Sequence, residues 1–118
     1  MPALLRAVRV GEKAARVGFD WGSPGGARAK IDEELGELDR AESPERQEEE
    51  LGDLLFAIAS WSRKSTLDPE AALRGALDRF TDRFRVCERL AREEGRGLAD
   101  MDEAELDGLW RRAKQETK

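Results

Sequence analysis

The sequence has no histidine, no tyrosine and a single cysteine, Cys87. Without histidine there is no imidazole to act as base for a serine or cysteine nucleophile, so triad-type acyl chemistry is excluded. One cysteine cannot form an internal disulfide, and Cys87 reads as a small apolar filler rather than a reactive thiol. No apolar run is long enough to span a bilayer and no signal-peptide pattern opens the chain. A cytoplasmic protein without a membrane partner is therefore expected.

What is present is charge and helix-forming residues. The chain has 118 residues, of which 40% are charged and 39% hydrophobic, with a net charge of −5. That length suits one domain. Leu, Ala, Arg and Glu dominate and β-branched residues are few, which favours helix nearly everywhere. The net negative charge argues against binding a nucleic-acid polymer, which needs a positive footprint, but leaves room for a small phosphorylated ligand held through a cation. The expected fold class is all-α, a small helical bundle with a thin core that dimerisation completes.

Five helices follow from start and stop signals. The first covers about residues 3–17 and ends near Gly18. "GFDWGSPGG", residues 18–26, reads as a loop, and a second helix runs over about 27–41. Ser43 caps a third helix with Pro44 at its first position, extending to about Lys64. Asp68 and Pro69 repeat that signal for a fourth helix to about Glu94, closed by Gly95. "GRGLADMD" is a connector, and the last helix covers about 103–115. Phe80 and Phe84, spaced i, i+4, are expected in the core.

Two acid pairs stand out. Glu34 and Glu37 follow Ile31 on the second helix, and Glu50 and Asp53 border Leu51, Leu54, Ile58 and Trp61 on the third. At 100° per residue Glu34 lies about 65° and Glu37 about 125° from the centre of their apolar stripe. Glu50 and Asp53 lie about 60° and 120° from theirs. Two such shoulders on packed helices would bring four carboxylates within reach of one point, where they repel unless a cation sits among them. An all-oxygen ligand set selects a hard ion, Mg²⁺ or Mn²⁺, completed by substrate phosphate. The same spacing also suits a solvated acidic face, and spacing alone does not choose between the two.

"KIDEELGELD" followed by "EEELGDLLFAIASWSRK" resembles the MazG family of nucleoside triphosphate pyrophosphohydrolases, whose pattern is E-x-x-E on one helix and E-x-x-D on the next. "ARVGFDW", "RFTDRFR" and "LDGLWRRAK" are similar to its flanking segments, so the resemblance runs from about residue 14 to residue 114. It implies an all-α, Mg²⁺-dependent enzyme that converts a nucleoside triphosphate to the monophosphate and pyrophosphate, removing non-standard nucleotides. Carried over by position, Glu34, Glu37, Glu50 and Asp53 would be metal ligands and Glu33 a proton acceptor. Lys30, Arg79, Arg83 and Lys114 would face the phosphates. Trp110 would stack on the base or close the core, and Trp21 would anchor its loop. The resemblance also implies a homodimer or a dimer of dimers.

Two positions depart from the family pattern. Leu77 stands where many relatives have Asn, and Arg79 where Lys is frequent. Two other readings stay open from sequence: a narrower member of the same superfamily, acting on dUTP, dCTP or phosphoribosyl-ATP, and a non-catalytic module whose acidic stripe docks a basic protein.

Overall fold

Three helices begin on one grammar, a short polar cap followed by proline. In the computed structural model, which describes residues 1–20 and 22–118, Ser43 Oγ accepts from the Arg46 amide at 3.2 Å ahead of α3 (Pro44–Lys64). Asp68 Oδ1 accepts from the Ala71 amide at 3.1 Å ahead of α4 (Pro69–Glu93). Ser23 Oγ does the same for the Gly26 amide at 3.1 Å, so α2 (Pro24–Arg40) begins at Pro24 rather than at Ala27. The capping bond outweighs the poor helix propensity of Gly25 and Gly26. α1 spans Ala3–Arg16 and α5 Glu103–Glu116, with a single 3₁₀ turn, Leu98–Asp100, in the connector. Among the described residues there is no strand, and no helix is long and apolar enough to cross a membrane. Trp21 lies outside the described residues.

Helix ends also share a pattern. After α1 the Gly18 amide donates to Ala15 O and the Phe19 amide to Ala14 O, both at 3.0 Å. The same paired bonds close α4 at Gly95 and Arg96, and α3 at Thr66 and Leu67. The residue that donates the inner bond needs a positive φ. Gly18 and Gly95 supply it at 84° and 70°, but after α3 it is Thr66, at 57°. A β-branched residue there is crowded against its own backbone.

The chain divides into two compact units, Met1–Ala72 and Leu73–Lys118. In the first, α2 and α1 both pack on α3. Its buried residues are small or charged: Gly11, Ala57, Ala59, Ser62 and Glu50, with Pro69 beside them. The larger apolar residues of the expected stripes sit further out. Leu35 and Leu51 are exposed, while Ile31, Leu38, Leu54, Ile58 and Trp61 are half-buried. Small residues occupy the lines of closest helix approach, which pushes the leucines to the rim.

The second unit has an apolar centre of Cys87, Leu90, Ala91, Met101, Leu109 and Ala113, with Val86, Leu98 and Trp110 packed on it. A capping box starts α5: Asp102 Oδ1 accepts from the Glu105 amide at 2.8 Å and Glu105 Oε1 from the Asp102 amide at 3.3 Å. Ion pairs Arg89–Glu116, Arg96–Glu105 and Arg112–Glu94 tie the two sides together. Contrary to the sequence expectation, Phe80 and Phe84 are not core residues; they are 54% and 43% exposed, stacked on each other at 6.1 Å. Trp110 of α5 reaches Phe80, yet both phenylalanine rings stay largely open to solvent. The 14 residues of α5 reach about 21 Å while the 25 of α4 reach about 38 Å, so α5 covers only part of α4.

Candidate metal centre and its cavity

α2 carries Lys30, Glu33, Glu34 and Glu37; α3 carries Arg46, Glu50 and Asp53. Because α2 lies along α3, carboxylate oxygens of Glu34, Glu50 and Asp53 come within 4.8 Å of one another. The side chains of Glu34 and Glu50 are only 12% and 10% exposed, while Asp53 is open to solvent. Glu50 therefore sits inside the first unit rather than on the shoulder that the helical angles give it. Glu37 lies outside this group: Arg40, one turn on, holds its Oε1 at 3.2 Å. Glu33 is exposed and paired with Lys30 Nζ at 3.3 Å.

Each inner acid has a basic residue four positions earlier. Lys30 Nζ lies 3.2 Å from Glu34 Oε1, and Arg46 Nη2 lies 3.1 Å from Glu50 Oε1. Bonds to Glu34 first, then Glu33, raise the Lys30 pKa. Arg46 is a contact that the family pattern does not point to; its signal was the spacing Arg46–Glu50, identical to Lys30–Glu34. Even with Arg46 in place, burial pushes the Glu50 carboxyl above its ordinary range, and Asp53, Glu34 and Glu37 add to that push. A buried carboxylate still short of positive charge, in a set of oxygen donors only, fits a hard divalent cation.

Two of the three acids, Glu34 and Asp53, border a cavity of about 570 Å³ within the first unit. Glu34, Asp53 and Lys30 line one part of it, and Phe56, Ala57 and Ser60 continue the wall along α3. Asp20, Arg63 and Lys64 line it too. Arg63 Nη2 and Lys64 Nζ approach the same Asp20 oxygen, Oδ1, at 3.2 and 3.0 Å, and Lys64 also donates to Gly22 O at 3.0 Å. Bonds from Lys64, then Arg63, hold the Asp20 carboxyl below its ordinary range. Among the described residues Arg63 Nε is buried without a partner, lying over Gly11, where a Cβ would meet it at 2.9 Å. This clasp joins residues 43 positions apart, so no local pattern announces it.

The remaining residues singled out in the sequence belong to the second unit. Arg83 lies over the Trp110 ring at 5.9 Å and donates from Nε to Thr117 Oγ1 at 3.3 Å. Trp110 packs on Phe80 with ring centroids 5.4 Å apart, beside the apolar centre. Arg79 is exposed with its guanidinium over Gly75, and Lys114 is exposed one turn after Trp110.

No protein-family model matches the chain. Among curated proteins it is 46% identical, over 97% of its length, to the nucleoside triphosphate pyrophosphohydrolase/pyrophosphatase MazG of Thermotoga maritima, of which it covers 45%. It is 33% identical, over 98% of its length, to the nucleoside triphosphate pyrophosphohydrolase of Escherichia coli strain K12, of which it covers 46%. A shorter stretch, 56% of the chain, is 44% identical to the Bacillus subtilis protein YabN and covers 14% of it. The chain thus spans less than half the length of the curated relatives it matches.

Proposed function

Because the chain belongs to the MazG family, we propose that it is a nucleoside triphosphate pyrophosphohydrolase. It would cleave ribo- or deoxynucleoside triphosphates to the monophosphate and pyrophosphate with Mg²⁺, Mn²⁺ being the alternative. The observation that carries this reading is the convergence of Glu34, Glu50 and Asp53, two of which, Glu34 and Asp53, line a cavity of the size small-molecule sites have. These three acids would hold the cation, with Glu37 as a fourth ligand once it leaves Arg40. When bound, such an ion neutralises triphosphate charge and polarises the phosphorus under attack.

The chain's own groups do the rest. Glu33, exposed next to Lys30, takes the proton of the attacking water. Lys30, already set between two carboxylates, offers its ammonium to the departing pyrophosphate. Arg79, Arg83 and Lys114 are assigned to the phosphates and Trp110 to the base on the family resemblance. The proposed assembly is a homodimer or dimer of dimers in the cytoplasm, each chain contributing one domain. Support comes from Leu73, Leu77, Phe80 and Phe84, all exposed and spaced four, three and four apart as in a helix–helix seam. The cellular role would be removal of non-standard nucleotides.

Product identification tests the activity directly. Incubation with a panel of triphosphates and Mg²⁺ is expected to yield monophosphate and pyrophosphate. Release of diphosphate and orthophosphate, or no turnover of any triphosphate, would overturn this reading.

A further inference from the structure

Each inner acid of the metal centre is held by a cation that also holds a second, outer acid. On α3 the Arg46 guanidinium is forked: Nη2 donates to Glu50 Oε1 at 3.1 Å and Nη1 to Glu49 Oε2 at 3.0 Å. On α2 Lys30 Nζ reaches Glu34 Oε1 at 3.2 Å and Glu33 Oε1 at 3.3 Å. The spacing is the same in both, a cation at i with acids at i+3 and i+4. The i+3 acid lies in solvent and the i+4 acid is turned inward: the Glu49 side chain is 67% exposed and that of Glu50 10%.

This repeat has a charge logic. Glu34, Glu50 and Asp53, with oxygens within 4.8 Å of one another, carry three negative charges that repel. Lys30 and Arg46 bring two positive charges, as many as a divalent ion brings. The chain thus holds a substitute for the ion among its own side chains. A cation added beside Arg46 meets like charge and competes with it for Glu50. The outer acid gives Arg46 somewhere to go. Glu49 is already bonded to the other arm of the fork, so leaving Glu50 needs only a change of side-chain torsions. Neither Arg46 nor Glu50 lines the cavity, which leaves Arg46 to act on the carboxylate rather than on a ligand seated there.

Resting on the metal centre of the hydrolase reading, we propose that Arg46 is the resident counter-ion of the metal-free site. It holds Glu50 while no divalent cation is bound and passes to Glu49 when one binds. Arg46 is thus a positioning residue, and Glu49 sets how readily it lets go. Without Arg46 the buried Glu50 would face Glu34 and Asp53 with no compensating charge of its own. Without Glu49 the guanidinium would have Glu50 as its one partner and would keep the ion out more strongly.

Mn²⁺ titration by calorimetry and thermal melting of the metal-free protein test this without any turnover. Arg46→Gln should bind Mn²⁺ about tenfold more tightly than the wild type, the order by which partners of metal-ligating carboxylates change affinity. The same variant should melt lower than the wild type when metal-free. Arg46→Lys keeps the fork, as Lys30 does on α2, and should keep the wild-type affinity. Glu49→Gln should weaken Mn²⁺ binding by about twofold, the worth of one helical ion pair. In the double variant Arg46→Gln/Glu49→Gln that weakening should vanish, because it runs through Arg46. A plain loss of surface charge would instead act equally in both backgrounds. An Arg46→Gln chain that binds Mn²⁺ no tighter, an Arg46→Lys chain that binds it as Arg46→Gln does, or a Glu49 effect undiminished in the double variant would each overturn the proposal. Where Arg46→Gln does not fold without metal, the exposed Glu49→Gln decides, and unchanged or tighter binding there overturns it. A wild type that binds no Mn²⁺ sinks the metal centre and the hydrolase reading with it, whereas binding indifferent to Arg46 sinks this inference alone.

Discussion

The two units of this chain fill their interiors in opposite ways. The second buries Leu90, Leu109, Met101 and Cys87 in an apolar cluster closed by a capping box and ion pairs. The first buries alanines, a serine, a glycine and a carboxylate, and keeps a cavity beside them. Apolar area removed from water is the main source of folding free energy. By that measure the second unit is built for stability. The first gives part of its interior to a charged centre, which costs stability and supplies chemistry.

The largest effect should come from the buried charge itself. Glu50→Gln is expected to drop pyrophosphate release below detection and to abolish Mn²⁺ binding by calorimetry. Because the buried carboxylate lacks full compensation, the metal-free variant should melt no lower than the wild type. Residual turnover, or a clear loss of thermal stability, would contradict the contrast drawn above.

Next comes the apolar cluster. Leu90→Ala should cost about 2–5 kcal/mol in urea denaturation, whereas the same truncation at exposed Leu35 should cost far less in the isolated chain. A third prediction concerns the stripe on α4. Leu77→Glu should shift the protein from dimer to monomer in sedimentation, with helicity retained; a wild type that sediments as a monomer would remove the proposed seam. The smallest effect is local. Thr66→Gly relieves a strained left-handed residue at some cost in chain entropy, for a net gain of about 0.5–1 kcal/mol by thermal melting.

Much of the frame was legible in the sequence because its signals are local. Ser43–Pro44 and Asp68–Pro69 mark helix starts wherever they occur, and the acids of α2 and α3 fall near one line through helical spacing alone. Ser23–Pro24 carries the same signal, masked by the glycines that follow it. Depth and partners were not legible in the same way. Whether Glu50 is on a shoulder or inside depends on how closely α2 approaches α3, which the small residues of α3 decide. Glu37 turns away because Arg40 is within reach. The misplacement of Phe80 and Phe84 has the same origin, since i, i+4 spacing says which residues share a face but not whether another element covers that face. The Asp20–Arg63 clasp is the extreme case, a pairing made only by tertiary packing.

Gly11 belongs to a helix that contributes nothing to the acid group, yet its missing side chain is the berth in which Arg63 rests. An alanine there would crowd the guanidinium and swing its flexible end aside, leaving every acid untouched. Drift at position 11 would therefore reshape one wall of the cavity while the carboxylates on the other two helices kept their places.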